Sequence, residues 1–174
     1  LDGQILPLAE ARISPLDRSF LFGDGIYEVI PVHGGRLFRP AAHLARLERS
    51  AAALRLRNPH DRDAWESLLA ELLAANGGGE QYIYLQLSRG AEWGRNHAPF
   101  PDIAPTVFAY GSPWPQPATS TLEQGLVCIT AEDNRWGRCD IKSTALLANV
   151  LLRQLAVDAG AAEAILLSGG LLRE

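Results

Sequence analysis

Apolar residues recur along this chain with two different periods, and the changes between them mark its elements. Residues 26–32 read as a mixed apolar strand that turns at His33-Gly34-Gly35 and returns through Leu37 and Phe38, so residues 20–38 are predicted to form a β-hairpin. On that strand Tyr27 and Val29 share one face, while Glu28 and Ile30 share the other. A helix is predicted over residues 40–56. Pro40 suits its first turn, Leu44, Leu47, Ala51 and Leu54 recur at spacings of three or four, and Arg46 lies off the centre of that stripe. A second helix covers residues 62–75 with Trp65, Leu68, Leu69 and Leu72 inward, and Asn76 with three glycines stops it.

Residues 81–89 alternate as a strand, with Ile83, Leu85 and Leu87 facing one way and Tyr82, Tyr84, Gln86 and Ser88 the other. A loop follows over residues 90–101, then a short strand at 106–110. Residues 112–121 hold three prolines and make the best domain boundary. Beyond it the pattern predicts a strand at 126–131, a polar bend at 132–138, a helix at 143–158 and another strand starting at 164. Leu146, Leu147, Val150, Leu151 and Leu155 supply the apolar stripe expected of that helix. The pattern amounts to two α/β or α+β units: an N-terminal α/β domain over 1–111, a linker over 112–121, and the start of a C-terminal domain over 122–174. The sequence stops just after an apolar strand and turn, a poor place for a domain to end. The expectation is therefore a longer natural protein, with the free chain inactive or badly destabilised.

Composition narrows the function classes without naming one. Hydrophobic residues make up 47% and charged residues 21% of the chain, the balance of a folded domain rather than a disordered one. A formal charge of -4 argues against a non-specific nucleic-acid binder. Cys128 and Cys139 make neither a disulfide framework nor a metal motif, and no apolar run is long enough to span a membrane. The default location is the cytoplasm.

Candidate chemistry starts at Asp140-Ile141-Lys142-Ser143, which sets a lysine at the edge of a strongly apolar, helix-periodic stretch. Loss of hydration there favours the neutral amine that condenses with an aldehyde, although most lysines so placed simply extend the ammonium to water. Phe22-Gly23-Asp24-Gly25 offers either a close backbone approach to a ligand or an ordinary turn. Arg95 and His97, two residues apart in a loop with Trp93, suit a carboxylate, the arginine through its bidentate fork; an exposed polar loop is the plainer account. His33 and His60 sit beside turns and are expected to face solvent, and His43 to make a local hydrogen bond. No glycine-rich phosphate loop, zinc spacing or nucleophile elbow is present.

Three blocks taken together are more specific than any one of them: residues 17–28 around Phe-Gly-Asp-Gly-Ile-Tyr-Glu, residues 43–51, and residues 135–150 around Cys-Asp-Ile-Lys-Ser. In order and separation they resemble the fold-type IV family of pyridoxal-phosphate enzymes, closest to its D-amino acid aminotransferases, over about residues 15–174. The resemblance implies the two-domain fold of that family and a homodimer. It implies pyridoxal 5'-phosphate as cofactor, with Lys142 as the Schiff-base lysine that also shuttles a proton. Arg46 is then the phosphate arginine, Tyr27 the tyrosine beside lysine and cofactor, and Glu174 the acid paired with the pyridine nitrogen. Arg95 and His97 would receive the substrate α-carboxylate, which separates this subgroup from branched-chain aminotransferases and 4-amino-4-deoxychorismate lyases of the same fold. The implied reaction is transamination between a D-amino acid, D-alanine foremost, and a 2-oxo acid such as 2-oxoglutarate. A non-catalytic fragment acting by protein association is the alternative of another class.

Overall fold

The computed structural model describes residues 1–174, which divide into two compact units. The first comprises Leu1–Pro115 together with Asp140–Ala145; the second comprises Gln116–Cys139 and Leu146–Glu174.

The first unit is built on a four-stranded antiparallel sheet in the order β2-β1-β3-β4, from β1 (Gly25–His33), β2 (Arg36–Leu37), β3 (Gln81–Ser88) and β4 (Thr106–Pro113). The hairpin β1–β2 forms as its pattern predicts, but the residues before it do not join the sheet. Arg18–Phe22 instead forms a short helix, α1, because the Asp17 carboxylate caps it by accepting from the Ser19 N–H and Gly23 ends it in a left-handed conformation. Strand β4 runs past Tyr110 because Gly111 and Ser112 still pair with Ile83 and Tyr82.

Two helices cover one face of this sheet. Helix α2 (Pro40–Ala53) begins at the proline and ends three residues before the predicted limit, and α3 (Arg62–Ala75) has the predicted bounds. The sheet contributes Ile26, Ile30, Val32, Ile83, Leu85 and Leu87, each wholly buried, and the helices bring Leu47, Trp65 and Leu69 to within 2% of full burial. Each such side chain stabilises the fold by about 1.5–3 kcal/mol. Alternation along β1 puts Glu28 among them at 0% exposure, a carboxylate inside a hydrocarbon layer. The opposite face carries Tyr27, Tyr82, Tyr84, Phe108 and Tyr110, all half-buried.

The second unit has a three-stranded sheet, β5 (Cys128–Glu132) parallel to β6 (Glu163–Ser168) and β6 antiparallel to β7 (Leu171–Leu172). Helix α4 (Thr119–Gln124) precedes it, and α5 (Leu147–Asp158) connects β5 to β6. Helix α5 differs from the pattern twice. It begins four residues later than predicted, and its buried residues are Leu152 and Ala156, packed with Ala161, Ala164 and Leu166, whereas Leu147, Val150, Leu151 and Leu155 are exposed. No helix is long and apolar enough to cross a membrane.

Candidate active site

Lys142 reaches its place through the backbone. Strand β2 pairs only with the far end of β1, at Val32 and His33, and the chain returns at residues 142–144 to lie against the near end. Tyr27 N donates to Lys142 O at 3.0 Å, Thr144 N donates to Gly25 O at 2.9 Å, and Ser143 forms a bridge with Ile26. Lys142 is therefore held in an extended segment stitched to a strand, not at the start of a helix. Gly23 makes the approach possible: a Cβ there would lie 2.9 Å from Cβ of Ala145, and its φ is +69°. At Phe22-Gly23-Asp24-Gly25 the structure shows the structural account, with Gly23 ending α1 in the left-handed region and admitting the chain's own segment at Ala145.

This register brings Lys142 to Tyr27. The half-buried amine lies 4.0 Å from the centroid of the tyrosine ring, within cation–π range. Tyr27 in turn stacks on Tyr84 at 5.6 Å, and Tyr84 donates its hydroxyl to Gln86 Oε1 at 2.7 Å. Burial, with the neighbouring phenols of Tyr27 and Tyr110, pushes the Tyr84 phenol up to about 12, so it stays a neutral donor at physiological pH. Lys142 is also the chain's only lysine among sixteen lysines and arginines, a signal readable from the residue list alone.

Arg46 projects from α2, off the buried stripe, with its side chain 41% exposed. Buried Glu28 grips it: Nε donates to Oε1 at 2.6 Å and Nη2 to Oε2 at 2.5 Å. His43 Nδ1 lies 2.8 Å from the same Oε2, so His43 bonds fifteen residues away and not locally. Hydrogen bonding to Glu28 raises the Arg46 pKa against the opposing effect of burial. Nη1 takes no part in that fork. The guanidinium borders a depression of about 300 Å³ lined by Phe38, Arg39, Ala42, His43, Arg46 and Arg49. Three arginines and a histidine with no acid among the lining residues suit a phosphate. The Glu28–Arg46–His43 cluster was not legible as a site beforehand, since only the fold brings strand and helix together.

Arg95 and His97 are exposed residues in the loop after β3, and the structure brings them together on Phe22. The Arg95 guanidinium lies 5.1 Å from the ring centroid, and the His97 ring meets Phe22 edge-on at 5.6 Å. Glu174 sits in the second unit, where its backbone carbonyl accepts from Leu166 N at 2.7 Å and its exposed carboxylate accepts from Arg135 Nη1. Arg135 also forks onto Asp133, and that hydrogen bonding lowers the Asp133 carboxyl to about 2. Of the other two histidines, His33 is exposed and pairs with Glu80, while His60 packs its ring edge-on against buried Trp65 at 4.6 Å.

Comparison with known proteins identifies the family. The family profile described as amino-transferase class IV matches residues 25–170. A D-alanine aminotransferase of Staphylococcus epidermidis is 40% identical over 175 residues, all of this chain and 61% of that protein. One from Bacillus licheniformis is 39% identical over 173 residues, 99% of this chain and 60% of that protein. The chain thus spans about 60% of the length of these curated relatives. Among solved structures, the PLP-bound form of a hypothetical aminotransferase from Mycobacterium tuberculosis superposes with a TM-score of 0.78 at 26% identity, over 97% of this chain and 60% of that one. The branched-chain amino acid aminotransferase of Escherichia coli superposes with a TM-score of 0.86 at 21% identity, over 99% and 59%, a likeness of fold alone.

Proposed function

For a chain that belongs to the class IV aminotransferases, we propose that the whole protein moves the amino group of a D-amino acid, D-alanine foremost, to a 2-oxo acid such as 2-oxoglutarate, with pyridoxal 5'-phosphate bound at Lys142. The observation that carries this reading is the sole lysine, half-buried over the Tyr27 ring on a segment bonded to β1. The naming of its 39–40% identical relatives as D-alanine aminotransferases supports the substrate.

The residues of the first unit suit the cofactor, with an amine for its aldehyde and an exposed guanidinium beside a basic depression for its phosphate; the family resemblance assigns Glu174 to its pyridine nitrogen. When bound, the cofactor supplies an electron sink for charge developing at the substrate Cα. Lys142 would hold the cofactor through Nζ, and the same nitrogen, as a free amine, would be the base that takes the proton from the substrate Cα. Tyr27 keeps that nitrogen against its ring. Arg46, kept in one orientation by Glu28, binds the phosphate. Arg95 and His97 receive the α-carboxylate and so orient the Cα–H bond. Holoenzyme given D-alanine and 2-oxoglutarate is expected to release pyruvate, and to prefer D- over L-alanine. A preference for branched L-amino acids over D-alanine would move the protein elsewhere in the family.

The working form is a homodimer in the cytoplasm. Support comes from the half-buried aromatic face of the first sheet, a surface of the kind that interfaces enrich. Sedimentation at micromolar concentration should give the dimer mass, and an active monomer would contradict it; cell fractionation should place the activity in the cytoplasm, and recovery with membranes would contradict that.

A further inference from the structure

The loop that carries Arg95 and His97 is not held by its own secondary structure. Beyond a few hydrogen bonds of its own and one to Ser88, it is tied down from Asp17, Arg18 and Phe22. Asp17 forms a bridge with Ala91, and Arg18 N donates to Gly90 O at 2.8 Å. The Arg18 side chain, 3% exposed, then spreads its fork under the loop. Nε donates to Asp24 Oδ2 at 2.9 Å, Nη1 to Glu92 and to the carbonyl of Asn96 at 2.7 Å, and Nη2 to the carbonyl of His97 at 2.9 Å. Glu92 closes the circle by accepting from Phe100 N at 3.0 Å. Both backbone carbonyls on the C-terminal side of Arg95 are thus fixed by one buried guanidinium.

Phe22, one turn along α1, is the platform. Its ring lies 4.7 Å from the Arg18 guanidinium carbon and 5.1 Å from that of Arg95, with His97 edge-on at 5.6 Å. The two arginines have different work. The Arg18 guanidinium is engaged by two carboxylates and two carbonyls. Arg95 is exposed, and its contact is the ring.

We propose that Arg18 and Phe22 are positioning residues for an anion receptor made of Arg95 and His97, with Arg18 fixing the backbone of the loop and Phe22 the orientation of the two cationic or hydrogen-bonding side chains toward a substrate carboxylate. This rests on the reading of Arg95 and His97 as the carboxylate site. A guanidinium has many rotamers, and stacking on a ring selects among them before the substrate arrives. The device therefore acts on substrate binding and orientation and leaves the cofactor site alone.

Removing Arg18 would strand the Glu92 carboxylate, leave Asp24 with Arg89 alone and risk unfolding the protein, so Phe22 carries the test. In holoenzyme, Phe22→Leu should raise KM for D-alanine about tenfold with a smaller change in kcat and no change in the visible absorption band of the bound cofactor. Phe22→Tyr should restore KM, because the ring face is retained. Arg95→Ala should raise KM further, and Phe22→Leu added to Arg95→Ala should have a smaller effect than in wild type, because the part that acts through the Arg95 guanidinium is already gone and only the His97 contact remains. If Arg95→Ala raises KM while Phe22→Leu leaves it unchanged, or if the two losses simply multiply, the positioning role is overturned and the carboxylate reading stands. If Arg95→Ala itself leaves KM unchanged, the carboxylate reading falls, and this inference with it.

Discussion

Arg46 and Arg95 are both assigned to anions, yet the two regions that present them are built on opposite plans. Arg46 stands on a fourteen-residue helix packed on the sheet, and a fully buried carboxylate from a central strand takes two of its nitrogens. Arg95 stands on an irregular loop, is exposed, and leans on a phenyl ring whose own helix is five residues long. The first arrangement welds the anion site to the core, so function and stability share the same contacts. The second separates them at the receptor itself: the exposed Arg95 and His97 bear little of the fold's free energy, although Arg18 beneath them is buried and paired, so variation in substrate preference is cheapest to place at those two positions.

The largest consequence is for stability. Arg46→Ala leaves Glu28 buried with only His43 beside it, and should cost about 3–5 kcal/mol. Arg95→Ala, at an exposed position, should stay within about 0.5 kcal/mol of wild type. Urea denaturation of the two variants measures both, and equal losses would break the contrast. A smaller effect concerns acid. Asp24 links the loop side to the end of α2, since it accepts from Arg18 of α1 and from Arg89, just past β3, which also donates to the carbonyls of Leu54 and Arg55. Burial alone would raise its pKa, but those hydrogen bonds outweigh it and the pKa is lowered. Its contribution is therefore present above the ordinary carboxylate range near 4 and lost as pH falls through the depressed folded value. Melting temperature followed against pH should fall less steeply in that acid range for Asp24→Asn than for wild type. Parallel curves would show that Asp24 carries no such linkage.

Local signals were enough for much of the first unit. The Trp65-Leu68-Leu69-Leu72 stripe and the Asn76-glycine stop place α3, which the structure shows capped by Asp61, and alternation along β1 already puts Glu28 on the face of Ile30. What alternation does not carry is the partner, which arrives from a helix eighteen residues later in the case of Arg46. The same holds for Arg18, whose loop contacts lie 74 to 79 residues away. Helix α5 fails for a different reason. Apolar residues occupy nearly its whole circumference, so periodicity offers several stripes, and packing against β6 selects Leu152 and Ala156 over Leu147, Val150, Leu151 and Leu155. Lys142 was found by its motif, but its setting was not: the apolar run that seemed to begin a helix there first pairs with β1 and turns helical only at Leu147.

The central claim is that this lysine carries the chemistry, and reduction with borohydride in the presence of pyridoxal 5'-phosphate tests it most directly. The peptide containing Lys142 should gain the mass of one reduced cofactor, the yellow colour should be lost, and Lys142→Ala protein should take up no covalent cofactor. Because Lys142 is the only lysine in this sequence, an unmodified Lys142 peptide from active, reduced protein would contradict the account outright.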